Sequence, residues 1–192
     1  MTNPQKVQKV QPRKHAYDFL TEEDETKLIE LAHNAAKLHL MYQGNMVRVR
    51  DYIAINWKPA NEKEFLEKKL FLDNLDKLID NIPDPYGILI MAGNGRPPFE
   101  TVIFDDWPED VEEEVDSLTE LIKKASKLHF GYQLRMYKIF DFFRDKLNEL
   151  TDEEDKKVLL SYLLKLDKLI LEIPDPYKIL RDAKEGKVGI RN

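Results

Sequence analysis

Apolar residues recur along this chain at helical spacing, and the same run of elements occurs twice. At 100° per residue, Leu118, Leu121, Ile122, Ala125, His129, Tyr132, Met136, Ile139, Phe140, Phe143 and Leu147 fall within about 100° of one another. This stripe predicts a long amphipathic helix over roughly 115–149. Upstream, Leu28, Leu31, Ala32, Ala35, His39, Tyr42, Met46, Val49 and Ile53 occupy the same stripe. Thr21, with Asp24 three residues later, marks the start of that first helix by a capping-box spacing.

A second helix follows each long one. Asn61 with Glu64, and Thr151 with Glu154, have the spacing that satisfies free N–H groups at a helix start. Phe65, Leu66, Leu72, Leu75, Leu78 and Ile79 supply the apolar face of one. Val158, Leu159, Tyr162, Leu163, Leu166, Leu169 and Ile170 supply that of the other. Both runs stop at Ile-Pro, because proline disfavours helical geometry in the residue before it. Asp84-Pro85 and Asp175-Pro176 then place a capping acid before a proline suited to the first helical position. IPDPY is read as a corner between helices.

The parallel is one of sequence as well as pattern. Residues 35–51, AAKLHLMYQGNMVRVRD, align with residues 125–141, ASKLHFGYQLRMYKIFD, at a shift of 90; LDKLID and IPDPYGIL recur as LDKLIL and IPDPYKIL at a shift of 91. Three matching blocks predict a tandem duplication. A hairpin of two helices leaves an apolar face open, so neither copy closes a core by itself. The expected fold is all-α: tandem duplicated helix-hairpin units forming a pseudo-twofold helical bundle, with an extended N-terminal arm. The expected segments are the arm at 1–17, repeat 1 at 18–90, a loop and acidic linker at 91–112, repeat 2 at 113–183 and a tail at 184–192.

Composition narrows the function classes. The chain has 192 residues, 36 acids against 30 bases and no cysteine. That excludes disulfides, thiol nucleophiles and thiolate zinc sites. No apolar run approaches the roughly 18–20 residues of a membrane span, and no signal-like segment follows the basic start. The expectation is a soluble intracellular protein. Abundant Lys and Glu, with only Gln43 and Gln133 beyond residue 11, lean toward a thermophilic source.

The charge is uneven. The arm MTNPQKVQKVQPRK has four bases, Lys6, Lys9, Arg13 and Lys14, and no acids; DDWPEDVEEEVD at 105–116 has eight acids. MAGNGRPP reads as a loop, FETVIF as a short strand or extended tether, and the acidic block as a solvated linker. On the second long helix, Lys124, Lys127, Arg135, Lys138 and Lys146 cluster opposite the apolar stripe, with Lys37 and Arg48 the chief bases on the first. Arm and stripe form the candidate phosphate-contacting set, joined by Lys184, Lys187 and Arg191 near the C-terminus.

Catalytic chemistry finds little support. His39 and His129, within KLHxxYQ, lie in the apolar stripe, where a bond to a Tyr, Gln or carbonyl is expected. A di-metal carboxylate bundle needs a Glu three residues before each histidine, but Ala36 and Ser126 stand there. An all-α, metal-dependent nucleotide pyrophosphatase would use Glu22, Glu25, Asp73 and Asp76, of which only Asp76 has a counterpart, Asp167. No catalytic residue, metal site or cofactor is assigned.

A basic arm leading into helical bundles resembles, in arrangement, coat or nucleoprotein subunits of DNA-packaging filaments such as those of archaeal viruses. The resemblance implies self-assembly around nucleic acid and a place in a virion. The leading expectation is a non-enzymatic structural protein that associates with itself and contacts a nucleic-acid backbone. A helical protein-interaction or regulatory module is the alternative, followed by the pyrophosphatase.

Overall fold

The structure, a computed structural model, describes residues 15–99 and 117–189. The basic arm residues Lys6, Lys9, Arg13 and Lys14, the acidic block, most of FETVIF and Arg191 lie outside the described residues. Among the described residues all regular structure is helical. A 3₁₀ turn, Ala16–Phe19, precedes α1 (Glu22–Asn56), α2 (Glu62–Asp80), α3 (Pro85–Ala92), α4 (Leu118–Glu149), α5 (Glu153–Leu171) and α6 (Pro176–Glu185).

Local chemistry sets most of the boundaries. Thr21 and Asp24 form the reciprocal capping box at the start of α1, and Asn61 accepts from the Glu64 N–H at the start of α2. Asp84 and Asp175 cap α3 and α6, each with proline at the first helical position. Three boundaries differ from expectation, the first being α4, which begins at Leu118 behind the cap Ser117 rather than near 115. The cap of α5 is Asp152 rather than Thr151, because one carboxylate oxygen accepts from both Glu154 N–H and Asp155 N–H at 2.9 Å. Helix α3 also runs through Met91 and Ala92, so the loop begins at Gly93.

The two long helices pack against each other along their length. As numbering climbs along α1 it falls along α4: Asp24 pairs with Lys146 at 2.8 Å, the His39 ring meets Tyr132, and the Tyr42 ring meets His129. They are antiparallel over about 50 Å, at 1.5 Å rise per residue.

Two apolar cores lie at opposite ends of this pair. In one, Leu28, Ala32 and Ala35 of α1 meet Met136, Ile139 and Phe143 of α4, closed by α5 and by Ile88 and Leu89 of α3. In the other, Met46 and Val49 of α1 meet Leu121 and Ala125 of α4, closed by Leu75 and Ile79 of α2 and Ile179 and Ala183 of α6. The short helices thus cross over: α3 packs in the core of α5, and α6 in that of α2. Ile88 and Leu89 are wholly buried. Each such side chain is worth roughly 1.5–3 kcal/mol of burial, against about 0–1 kcal/mol for an exposed ion pair. Apolar exchange dominates the attachment of the two halves.

One expected face is only partly covered. Phe65 and Leu66 are 57% and 58% exposed. Helix α6 has ten residues and reaches α2 near Asn74, whose amide donates to the Ala183 carbonyl at 3.2 Å. On α5, by contrast, Tyr162 is covered by the 3₁₀ turn through Tyr17, whose hydroxyl donates to the Leu89 carbonyl at 2.6 Å.

Candidate nucleic-acid interface

Between the two cores lies a polar layer built from the two recurring motifs. Where α2 ends at Ile-Pro, its last carbonyls lose their helical donors. Side chains of α1 and α4 supply replacements. Gln43 Nε2–H donates to Ile79 O at 3.1 Å, His39 Nε2–H to Ile82 O at 3.1 Å, and the Tyr132 hydroxyl to Pro83 O at 2.7 Å. At the other corner Gln133 donates to Ile170 O at 3.1 Å, His129 to Ile173 O at 3.0 Å, and Tyr42 to Pro174 O at 2.7 Å. Each corner is held by His and Gln from its own half and Tyr from the other.

Electrostatics fit a structural role for these groups. Burial holds the His39 imidazole below its ordinary value, with the Ile82 bond and Asp84 opposing. Burial likewise pushes the Tyr42 and Tyr132 hydroxyls up, reinforced by Asp175 and Asp84 respectively. His39 thus acts as a neutral donor to the Ile82 carbonyl, and His129 makes the matching bond to the Ile173 carbonyl, as their place in the stripe suggested.

The opposite side of the long-helix pair has a different character. Residues 31–50 and 121–140 contain no Asp or Glu in a chain with 36. Glu30 and Asp51 bound the first window; Glu120 and Asp141 bound the second. The antiparallel packing sets these windows side by side, because His39 and Tyr42 meet Tyr132 and His129 at their middles.

Helical phase places Lys37 and Arg48 within about 20° of each other on the side of α1 away from Tyr42. Lys127 and Lys138 occupy the same phase on α4, with Lys124 and Arg135 about 60° further round. Met41, Phe130 and Leu134 lie among them, all more than two-fifths exposed. Helical phase therefore groups Lys124, Lys127, Arg135 and Lys138 on α4, with Lys37 and Arg48, the bases noted on the first helix, on the matching side of α1. The structure sets Lys146 apart near the C-terminal end of α4, between Asp24 at 2.8 Å and Glu149 at 3.2 Å. Lys187 pairs with Glu185 at 2.5 Å.

Lys37 and Arg48, the chief bases on the first long helix, thus stand beside the α4 set, and the acid-free windows repeat at the 90-residue shift. Asn45, aligned with Arg135, is buried in this region with neither amide atom hydrogen-bonded within the described residues. Such a group costs on the order of 1–3 kcal/mol.

Carboxylates elsewhere are engaged in the fold. Asp76 takes a two-pronged bond from Arg50, at 2.8 and 3.0 Å, and Asp167 accepts from the Tyr137 hydroxyl at 3.1 Å. Glu22 and Glu25 lie in the first turn of α1, where negative charge favours the helix dipole. Among the described residues, no group of three or more His, Asp or Glu side chains is placed to hold a metal ion. A cleft of about 670 Å³ opens beside the corners, lined by Pro83, Pro174, Lys178, Arg181, Asp182 and neighbours. Its charges are internally paired, Lys178 with Asp182 and Arg181 with the same carboxylate at 3.9 Å. No described helix is long and apolar enough to cross a membrane. Comparison with protein-family models, curated proteins and solved structures returned no match.

Proposed function

We propose that this chain is a non-enzymatic helical assembly protein that holds a nucleic-acid backbone on the outer face of its α1–α4 pair. The observation that carries this reading is the juxtaposition of two acid-free windows, with Lys37, Arg48, Lys127 and Lys138 at a shared helical phase and Lys124 and Arg135 about 60° further round on α4. Such a surface attracts a polyanion through its phosphates and is indifferent to base sequence. The arm residues Lys6, Lys9, Arg13 and Lys14 belong to the same reading as an additional phosphate contact.

The reading includes a tandem duplication with pseudo-twofold symmetry. It is supported by three hydrogen bonds made twice, with the 90-residue shift on the donor side and 91 on the acceptor side. Self-association is supported by Leu160, Leu164 and Leu171, spaced along one side of α5 and 48–65% exposed. Exposed apolar stripes of this kind mark contact surfaces. A second reading, a module that binds another protein, is favoured by Phe65, Leu66 and Leu70, which are exposed on α2.

Particle mass and co-purifying nucleic acid, followed across a salt series, test the proposal. It expects assemblies larger than one chain that carry nucleic acid and shed it steeply as salt rises. A stable monomer that retains none at low salt would sink it and favour the second reading.

A further inference from the structure

We infer that the exposed apolar surface of α2 around Leu66, Leu70 and Phe71 seats this chain's own acidic segment, residues 105–116, with the Trp107 ring against it. This rests on the duplication in the reading above and is independent of its nucleic-acid part. Continued upstream, the shift of 90 sets Tyr17 against Trp107, Glu22 and Glu23 against Glu112 and Glu113, and Leu28 and Leu31 against Leu118 and Leu121. The acidic block thus stands in line with the start of α1 and the turn before it.

That turn has a definite task in its own core. Tyr17 meets the rings of Phe143 and Tyr162 and donates to the Leu89 carbonyl. Phe143, Tyr162 and Leu89 are all buried there. Their matches in the α2–α6 core are Ile53 at the shift of 90, and Phe71 and Leu180 at 91. These three stay only partly buried. Trp57, at the C-cap of α1, meets the Phe71 ring and still leaves it part-exposed. Exposed leucines beside such a ring mark a contact surface, and a tryptophan brings the large apolar area to fill it.

The flanking residues differ in step with the segment assigned to them. Beside His15 and Ala16 the groove on α5 is lined by Glu154, Lys157, Ser161 and Tyr162. Their matches on α2 are Lys63, Leu66, Leu70 and Phe71. The chain running into His15 is basic, with Arg13 and Lys14, whereas that running into Trp107 is acidic, with Asp105 and Asp106. An acid beside a basic segment becomes a lysine beside an acidic one, and two polar residues become leucines more than half exposed. Lys63 lies 3.8 Å from Glu67 with its side chain 86% exposed, which leaves room for a second carboxylate.

The chain is long enough at both ends. Trp107 lies ten residues ahead of Ser117, as Tyr17 lies ten ahead of Lys27. Ser117 opens α4, whose Leu118 and Leu121 already pack in the α2–α6 core. At the other end the Phe99 carbonyl accepts from Tyr86 in the first turn of α3, next to the corner that Tyr132 holds at the middle of the long pair. Eight residues from Phe99 extend up to about 26–29 Å. The ring contacts put the middle of α1 between residues 40 and 41, about 19 Å along the axis from Ile53.

The chain has two tryptophans, Trp57 and Trp107, and no cysteine, which makes both fluorescence and cross-linking specific. In W57F, with Trp107 the sole indole, the inference expects emission blue-shifted from that of the urea-unfolded chain and weak quenching by acrylamide. L70D, at an exposed position and checked for unchanged helix content, should move that emission to the red. W107A should lower the thermal midpoint, and W107Y, which supplies the ring type of Tyr17, should recover most of the loss. Ala16 and Ser161 line one groove, so the matched pair D106C/L70C should form a disulfide within one chain on oxidation. Trp107 emission equal to the unfolded value, or indifferent to L70D, would overturn the inference. A disulfide-linked dimer would also overturn it and give the surface to a second copy. Each of these results leaves the nucleic-acid reading to its own salt series.

Discussion

Tyr42 and Tyr132 each spend their hydroxyl on the carbonyl of a proline in the opposite half. The sequence marks both tyrosines as inward-facing, yet nothing in helical periodicity says which carbonyl they meet. That partner exists only because Ile-Pro ends a helix whose corner folds back to the middle of the long pair. The account expects Y42F and Y132F each to cost about 1 kcal/mol, since either leaves a proline carbonyl short of a donor. Urea unfolding measures this, and similar losses are expected because the two bonds have equal length. His39 gives the pH dependence. Its folded value lies below the ordinary 6.5, so the unfolded chain binds a proton that the folded chain resists. Stability from this group is complete above about pH 6.5 and is lost as pH falls through that value toward the folded one. H39Q should flatten the slope of stability against pH in the interval just below about 6.5.

At the scale of elements, the capping acids and prolines fixed most ends, and the misassigned cap of α5 is instructive. Thr151 and Asp152 both suit a cap, but the aspartate reaches two N–H groups. The apolar face of α2 was only partly legible for another reason: periodicity reports which residues are apolar, not whether a partner is long enough to cover them. Phe65 and Leu66 stay exposed because α6 covers only the later part of α2. Across α1 and α4, the Asp24–Lys146 pair fixes register while Asp24 also accepts from Thr21 N–H at 3.0 Å. Burial works to raise the Asp24 carboxyl, but Lys146 and the Thr21 bonds outweigh it and leave it below its ordinary 3.8. Its contribution is therefore present above about pH 3.8 and lost as acid titrates the folded carboxylate. D24N should cost about 1–3 kcal/mol at neutral pH and remove that part of the acid transition, read by thermal unfolding across pH.

For the whole molecule, the matching sequence blocks were visible and the crossing of the short helices was not. Blocks that match at a shift of 90 or 91 do not say that α3 will close the core of α5. The net charge of −6 was also a poor guide to the surface, because it averages an acid-free double window with acid-rich segments elsewhere. Long-range attraction to a polyanion is weak under such a total, so the proposed contact would be local, short-ranged and strongly screened. The most direct measurement is the slope of log affinity against log salt for duplex DNA, in the unaltered chain and in K37Q/R48Q/K127Q/K138Q. Four lost phosphate contacts should lower the magnitude of the slope by about 3.6, with K146Q leaving it nearly unchanged. An unaltered slope in the fourfold variant, or a loss carried by Lys146 instead, would contradict the account.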